Sequence, residues 1–221
     1  MPCRNTVGTA NIVFHVINRA VRGTRLFEFP GDYQAFERIL AEAAKRFGMR
    51  VLAYCVMPNH WHLIVWPDED YQLSKFMHWL TLTHAMRWNV AHDLRGSGAV
   101  YQSRFKSIPV QTNEYFLAVT RYVERNALRA NLISQAEDWP WCSLWARCNS
   151  RYTIPLHEWP ILRPSDWIAH VNAPQTKAEL AAIRKAVQKN RPIGATDWQK
   201  MTAEILGLEK TLRSPGRPRT S

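Results

Sequence analysis

Two histidines, His60 and His62, flank Trp61 in a run that is apolar enough to form a β-strand. Side chains alternate across a sheet, so a strand would project both imidazoles from one face, about 6 to 7 Å apart, with Trp61 facing the other way. Imidazole is a common ligand of divalent transition metals, and two rings at this spacing can share one ion. The pair is therefore a candidate metal site, with partly buried, hydrogen-bonded histidines as the alternative.

A tyrosine and an asparagine form a second candidate group. Asn113 can cap a helix that runs from residue 114 to about residue 130, and on this helix Tyr122 and Asn126 lie one turn apart. A phenol beside an amide oxygen would place a nucleophile next to a metal ligand. Ordinary packing of Tyr122 on an amphipathic helix is the alternative, and no Ser-His-Asp or Cys-His grouping competes with this pair.

Basic residues are frequent around these positions. The chain has 29 Lys and Arg against 18 Asp and Glu, a formal net charge of +11, which favours a polyanionic partner. Aromatic residues such as Trp88, Tyr101 and Phe105 lie between the basic ones and could stack on unpaired bases, a combination suited to single-stranded nucleic acid. A solvated basic surface is the alternative. The basic residues in question are Arg19, Arg22, Arg25, Arg104, Lys106, Arg121, Arg125 and Arg129.

The elements that must position these residues follow from hydrophobic periodicity. Strands are predicted at residues 11–18, 49–56, 60–66 and 105–111, and helices at 32–47, 71–92 and 114–130. The second and third strands form a hairpin. The order of elements predicts an α+β fold, an antiparallel sheet with helices packed on one face.

Composition excludes several classes of protein. A chain of 221 residues that is 46% hydrophobic can bury a sizeable core, so it is not disordered. No apolar run approaches the roughly 20 residues that span a bilayer, and Met1–Asn5 lacks the apolar stretch of a signal peptide, so a cytoplasmic protein is expected. The cysteines, at positions 3, 55, 142 and 148, have no Cys-x-x-Cys spacing and indicate neither a disulfide framework nor a thiolate zinc site.

The C-terminal part differs in composition from the rest. Residues 151–176 contain four prolines and are predicted to form a connection between a domain at 1–150 and a basic extension at 177–221. That extension holds 10 Lys and Arg against 4 Asp and Glu. It is predicted to contain helices at 177–189 and 196–206 and to end in a flexible basic tail.

Four segments of the sequence stand out together: HVINR (15–19), AYCVMPNHWHLI (53–64), YQSRFKS (101–107) and RYVERNALRA (121–130). They occur in the order and approximate spacing of the single-tyrosine HUH transposases, and the resemblance is strongest to the REP-associated tyrosine transposases. Any one segment is a weak signal, but their ordered combination is specific. The resemblance continues through residues 138–143, and longer family members carry C-terminal segments similar to 191–194 and 206–219.

The resemblance implies roles for individual residues. His60 and His62 are similar to the metal ligands of the family, Tyr122 to its nucleophile and Asn126 to the third metal-side group. It also implies a ferredoxin-like fold, with the tyrosine helix laid across the sheet near the histidines, and a divalent metal, Mg2+ or Mn2+. Ala127 departs from the family motif, which has proline there. Because alanine is a better helix former, the helix is expected to run on.

The resemblance further implies a metal-dependent single-stranded DNA endonuclease and strand transferase. It would act at hairpin-forming repetitive palindromes through a 5′-phosphotyrosine intermediate, as a monomer or a homodimer. The expected DNA-binding residues are Arg19, Arg22, Arg25, Arg104, Lys106, Arg125, Arg129, Arg217 and Arg219. The last two follow Gly216 in a short Arg-Pro-Arg sequence similar to the core of minor-groove-binding peptides.

Two alternatives remain at this point. The first is a binding module without catalytic activity that recognises DNA hairpins, for example a repressor with the same fold. Intact His60, His62 and Tyr122 argue against it. The second is a hydrolytic metalloenzyme that acts on small substrates, which is disfavoured because no carboxylate stands beside the histidines as a general base.

Overall fold

A four-stranded antiparallel sheet forms the centre of the molecule. In the computed structural model, which describes residues 9–96 and 98–213, the strands are β1 (Val13–Arg19), β2 (Arg50–Met57), β3 (His60–Trp66) and β4 (Lys106–Val110). Their order across the sheet is β2-β3-β1-β4, and each neighbouring pair is antiparallel. This topology is that of a ferredoxin-like fold, so the predicted fold class is confirmed.

Two long helices make the crossover connections of this fold. Helix α1 (Pro30–Phe47) joins β1 to β2, and helix α2 (Gln72–Ala91) joins β3 to β4. Helix α1 ends at Gly48, whose φ of 61° is a left-handed conformation that glycine adopts without strain. At the other end, the Asp32 carboxylate accepts hydrogen bonds from the backbone N–H groups of Glu28 and Phe29. Asp32 therefore caps the helix from within its first turn.

The remaining helices follow β4 and are mostly short. Helix α3 carries the candidate tyrosine, and the others complete the C-terminal half of the chain. Their bounds are α3 (Glu114–Glu124), α4 (Asn126–Arg129), α5 (Ser143–Asn149), α6 (Trp167–Asn172), α7 (Lys177–Lys189) and α8 (Thr196–Ile205).

Helices cover both faces of the sheet rather than one. Trp61, Leu63 and Val65 of β3 pack with α1 and α2 in one apolar cluster, and we call this side the Trp61 face. Ile64 packs with α3 in a second cluster on the opposite side, the His62 face. The crossover helices α1 and α2 cover one face of the sheet, as expected, but α3 covers the opposite face. The reason is that the strands bear apolar side chains on both sides, and both must be shielded from water.

The C-terminal residues pack on both faces. The stretch predicted as a proline-rich connection contains helix α6 and the buried Trp167, and Leu156 forms a β-bridge with Val51. Further along, Ile193 pairs with Val110 at the edge of β4, and Leu208 is buried on the Trp61 face. The segment after residue 150 is therefore part of the core structure, and the proposed domain boundaries stay a prediction.

Arg217 and Arg219 of the predicted tail lie outside the described residues. Within residues 9–96 and 98–213, no helix combines the length and the apolar character needed to cross a membrane.

Candidate active site

Strand β3 carries both candidate histidines at the end that follows the turn after β2. The rings of His60 and His62 lie on the same face, with centroids 5.0 Å apart and planes nearly perpendicular at 83°. In the register of the sheet, His60 is opposite Arg19 of β1 and His62 is opposite Ile17. The alternation predicted from the sequence thus brings the two imidazoles together.

A hydrogen bond at Nδ1 holds each of these rings. His60 Nδ1–H donates to Asn59 Oδ1 over 2.6 Å. His62 Nδ1 is 2.9 Å from Nε2 of His15, and the His15 ring stacks on the His62 ring with centroids 5.1 Å apart. The Nε2 atoms of His60 and His62 take no part in these bonds, so they are the nitrogens left for a ligand.

Burial keeps these imidazoles neutral at physiological pH. Loss of water contact lowers the pKa of His60 to about 4, and the charges of Arg19 and Arg129 act in the same direction. Burial, aided by Arg129, lowers the pKa of His15 to about 3. It also lowers the pKa of His62 well below its ordinary value, with His60 and His15 adding to the effect. Neutral imidazole has the free lone pair that metal binding requires.

Helix α3 packs Tyr122 against the histidines. The Tyr122 ring lies edge-on to His62 and His15, with centroid distances of 5.9 and 6.1 Å. The Arg129 guanidinium covers its other side, 4.0 Å from the ring centroid, and donates a hydrogen bond to the Tyr122 backbone carbonyl. A cation at this position attracts negative charge to the neighbourhood of the phenol.

The helix breaks between Tyr122 and Asn126, contrary to the expected continuous helix. Helix α3 ends at Glu124, Arg125 adopts φ −81° and ψ 0°, and Asn126 begins the short helix α4. Arg125 donates to the carbonyl oxygens of Val171 and Asn172 at the end of α6, which ties the chain down at the break. The break therefore forms without the proline of the family motif, because tertiary contacts hold it.

Asn126 is buried, and its amide is incompletely bonded. Its Nδ2 atom has no hydrogen-bond partner among the residues described. A buried polar group without a partner costs free energy, and in native proteins it often marks a site for a ligand, water or ion. An amide N–H can donate to a substrate oxygen or a water, whereas a metal ion would be bound by Oδ1 of Asn126. The break at Arg125 lies between Asn126 and Tyr122.

The donors near Tyr122 are two imidazoles and an amide. Within the described residues, no group of three or more His, Cys, Asp or Glu side chains is arranged to hold a metal ion. A metal bound here would rely on His60, His62 and Asn126, and it would have room for further oxygen ligands from water or a substrate. This donor set of two neutral imidazoles and an amide oxygen fits a divalent ion.

The predicted DNA-binding arginines near β1 are exposed. Arg19 lies at the end of β1, next to the histidines, and Arg22 and Arg25 follow it in the adjoining turn. Arg104 is also exposed, just before β4. These four guanidinium groups remain available for contacts with a polyanion.

Other predicted DNA-binding residues are engaged inside the protein. Lys106 donates to the backbone carbonyl of Val187 at the end of helix α7. Arg125 bonds to α6 as described, and Arg129 packs on Tyr122. These contacts weaken the assignment of Lys106 and Arg125 to DNA binding, which stays a prediction.

A comparison with protein-family models shows which family the chain belongs to. A family model described as "Transposase IS200 like" matches residues 9–126, which include His60, His62, Tyr122 and Asn126. The chain belongs to the IS200-like transposase family. The resemblance drawn from the four sequence segments is thereby confirmed at the level of the family.

One solved structure supports the fold of this IS200-like transposase, and a second matches less well. A REP-associated tyrosine transposase bound to a REP hairpin matches with a TM-score of 0.54 and 19% identity, over 70% of this chain and 88% of that one. A protein described as a transposase from Deinococcus radiodurans R1 matches with a TM-score of 0.39 and 19% identity, over 53% of this chain and 92% of that one. No match was found among curated proteins.

Three residues of the site in this IS200-like transposase were missed by reasoning from the sequence. His15 and Asn59 form hydrogen bonds with the candidate ligands. The third residue is Arg184 on α7: the pKa of Arg129 is lowered mainly by burial, and the charge of Arg184 lowers it further. His15 and Asn59 lie in segments that carry the family resemblance, which was the available signal. Their contacts depend on strand register and turn geometry, which periodicity does not predict.

Proposed function

We propose that this IS200-like transposase is a metal-dependent endonuclease and strand transferase that acts on single-stranded DNA at hairpin-forming repetitive palindromes. The observation that carries the proposal is the meeting of Tyr122 with His62, whose ring centroids are 5.9 Å apart on one face of the sheet. A phenol beside neutral imidazoles combines a nucleophile with candidate metal ligands.

His60 and His62, together with Asn126, would hold the divalent ion, Mg2+ or Mn2+. When bound, this ion supplies electrophilic stabilisation of the charge that develops on the scissile phosphate. The neutral state of both rings supports the assignment, because their lowered pKa values leave the nitrogen lone pairs free. The Nδ1 bonds to Asn59 and His15 direct any coordination to Nε2.

Tyr122 would attack the phosphorus in line with the departing oxygen. The new bond joins the phenol oxygen to phosphorus, and the bond from phosphorus to the 3′ oxygen breaks. The phenol loses its proton and the 3′ oxygen gains one, so the products are a 5′-phosphotyrosine and a free 3′-hydroxyl. A second 3′-hydroxyl can reverse the step onto a new strand, because the phosphodiester bond energy is conserved.

Arg129 would stabilise this reaction through its charge. Its guanidinium lies 4.0 Å from the Tyr122 ring centroid. A cation at this distance favours the approach of an anionic phosphate. Exposed arginines support binding of the flanking DNA backbone: Arg19, which is opposite His60 in the sheet, and Arg22 and Arg25 in the segment that follows β1.

The test is the incubation of the full chain with single-stranded repeat DNA from the flanks of its own gene, followed by a denaturing gel. The proposal predicts cleavage and a protein–DNA adduct in Mg2+ or Mn2+, and neither in EDTA. Cleavage that persists in EDTA would contradict a metal-dependent mechanism. Tight hairpin binding without any cleavage would favour the binding module or repressor instead.

A further inference from the structure

Each of the two candidate metal ligands makes a hydrogen bond at Nδ1, but the partners differ chemically: an amide oxygen for His60 and a second imidazole for His62. Asn59 Oδ1 lies 2.6 Å from His60 Nδ1, and His15 Nε2 lies 2.9 Å from His62 Nδ1. An amide oxygen can only accept a hydrogen bond, so the bond to Asn59 puts the proton of neutral His60 on Nδ1. Its Nε2 then keeps the lone pair.

The bond between His15 and His62 can run in either direction, since either ring can carry the proton. If His62 Nδ1–H donates, His62 Nε2 keeps a lone pair and can bind a metal ion. If His15 Nε2–H donates instead, neutral His62 must carry its own proton on Nε2, and that nitrogen cannot be a ligand. Metal binding therefore requires the first direction.

His15 is positioned to accept a hydrogen bond from His62 Nδ1–H. It lies in the middle of β1 opposite Ile64, is fully buried, and stacks on His62 with an angle of 22° between the ring planes. Its other nitrogen, Nδ1, has no hydrogen-bond partner within residues 9–96 and 98–213. Nothing else that the structure describes bonds to the ring, so its hydrogen-bonding capacity is directed at His62.

We propose that His15 and Asn59 are positioning residues that hold His62 and His60 with protons on Nδ1 and lone pairs on Nε2, ready for the metal ion. This inference rests on the proposed function, because it concerns the same metal site. Residues that hold metal-binding histidines in this way orient the ring and raise its basicity, and their loss weakens metal affinity about 10- to 100-fold in other proteins.

The tautomers can be observed directly by NMR. In the full chain labelled with 15N-histidine, long-range 1H–15N correlation spectra distinguish a proton on Nδ1 from one on Nε2. With Mg2+ added, we expect His60 and His62 to carry the proton on Nδ1 and His15 to accept at Nε2. A His62 ring that carries its proton on Nε2 in Mg2+ would overturn the inference.

Paired variants test the same inference through metal affinity, measured as Mn2+ binding by electron paramagnetic resonance. His15→Phe and Asn59→Leu remove the acceptors, and we expect Mn2+ to bind about 10- to 100-fold more weakly. His15→Gln and Asn59→Asp keep an acceptor oxygen and should bind Mn2+ within about threefold of wild type. Hairpin affinity without metal should change little in His15→Phe, His15→Gln and Asn59→Leu, since these substitutions alter no charge. Asn59→Asp adds an anion and is compared through Mn2+ affinity alone.

The outcomes separate this inference from the proposed function. If His60→Ala loses Mn2+ binding while Asn59→Leu and His15→Phe keep it, the metal site stands and the positioning roles are wrong. If His60→Ala binds Mn2+ as tightly as wild type, the proposed site is wrong and the inference falls with it. Should His15→Phe fail to fold, Asn59→Leu with its Asn59→Asp control and the NMR spectrum of wild type still decide.

Discussion

Buried histidines lie on both faces of the sheet, and they are bonded in different ways. On the Trp61 face, Trp61 Nε1–H donates to the Tyr101 hydroxyl, which lies 2.7 Å from Nδ1 of His84. The His84 ring also packs against Phe27 and Phe36. No buried polar atom of Trp61, Tyr101 or His84 lacks a hydrogen-bond partner.

The cluster on the His62 face, in contrast, contains buried polar atoms that lack hydrogen-bond partners among the residues described. His15 Nδ1 and Asn126 Nδ2 are buried without partners among the residues described, and Tyr122 lies against His15 and His62. Both clusters contain imidazoles whose pKa is lowered by burial, to about 3 for His84 and for His15. A lowered pKa alone therefore does not mark a functional site. The two clusters differ instead in the buried polar atoms that lack partners beside Tyr122.

The largest expected effect on the His62 face comes from Tyr122→Phe. This change removes one hydroxyl and keeps the ring that packs on the histidines, so the adduct should fall by at least about a thousandfold with little loss of stability. The measurement is the yield of protein–DNA adduct on denaturing gels, together with thermal unfolding. Tyr115→Phe is the control, because Tyr115 lies two turns earlier, about 10 Å along the helix. Adduct in Tyr122→Phe but not in Tyr115→Phe would show that the nucleophile is misassigned.

A second prediction concerns His62→Ala. A bound metal would contact one phosphate while the basic surface would contact many, so cleavage should fall at least about a hundredfold and hairpin affinity by no more than about threefold. Cleavage rates and binding isotherms in the same buffer provide the measurement, with His60→Ala as a parallel case. Loss of binding and folding in either variant, with no metal dependence in wild type, would make the histidines structural.

The matched substitution on the opposite face is His84→Ala. It breaks a closed hydrogen-bond chain and leaves a cavity, so the free energy of unfolding should fall by about 2 to 3 kcal/mol. Cleavage by the folded protein at low temperature should stay within about twofold of wild type. Urea unfolding and cleavage assays check both expectations, and a large loss of cleavage in a folded His84→Ala protein would erase the distinction between the two faces.

The pH dependence of stability tests a carboxyl on the Trp61 face. Burial raises the pKa of Glu37, which accepts a hydrogen bond from Tyr54, to about 7. Folded Glu37 therefore keeps a proton that the unfolded chain has released above about pH 4.5, and its contribution to stability is lost as pH rises through 7. From pH 5 to 8, Glu37→Gln should gain about 2 kcal/mol relative to wild type in urea unfolding. If the free energy of unfolding changed with pH in the same way in both proteins, the raised pKa of Glu37 would be refuted.

The smallest effect is expected from the C-terminal tail. A truncation after Arg213 removes Arg217 and Arg219 and keeps the buried Ile193 and Leu208, so the packing of these two residues should be preserved. If both arginines contact phosphates, the log-log salt dependence of hairpin binding should flatten by up to about two. Binding at several salt concentrations measures this slope, and the double variant with Arg217→Gln and Arg219→Gln is the control. An unchanged slope would show that the tail does not touch DNA. A cut at residue 190 would be uninformative, since it removes the buried Ile193 and Leu208.

Local features made much of the fold predictable from the sequence. The apolar run at residues 60–66 predicted β3, and helical periodicity with the Gly48 stop predicted α1. The side of the sheet that α3 covers could not be predicted, because both faces of the strands are apolar. The packing of residues after 150 was missed for a related reason, since prolines mark irregular backbone without showing whether it is buried.

The candidate site was predictable to a similar extent. The faces of His60 and His62 follow from the strand, and Tyr122 and Asn126 follow from the helix and the family motif. The bond from His15 requires the register of β1 against β3, which the sequence does not contain in any local pattern. The break at Arg125 depends on carbonyl groups more than 40 residues away, at Val171 and Asn172.

The most direct measurement is to locate the covalent bond. Wild-type protein would be incubated with the hairpin oligonucleotide and Mn2+, digested with protease and nuclease, and analysed by mass spectrometry. The account predicts a nucleotide attached through its 5′ phosphate to the peptide that contains Tyr122, in Mn2+ and not in EDTA. Attachment to another residue, or cleavage with no attached nucleotide, would contradict it.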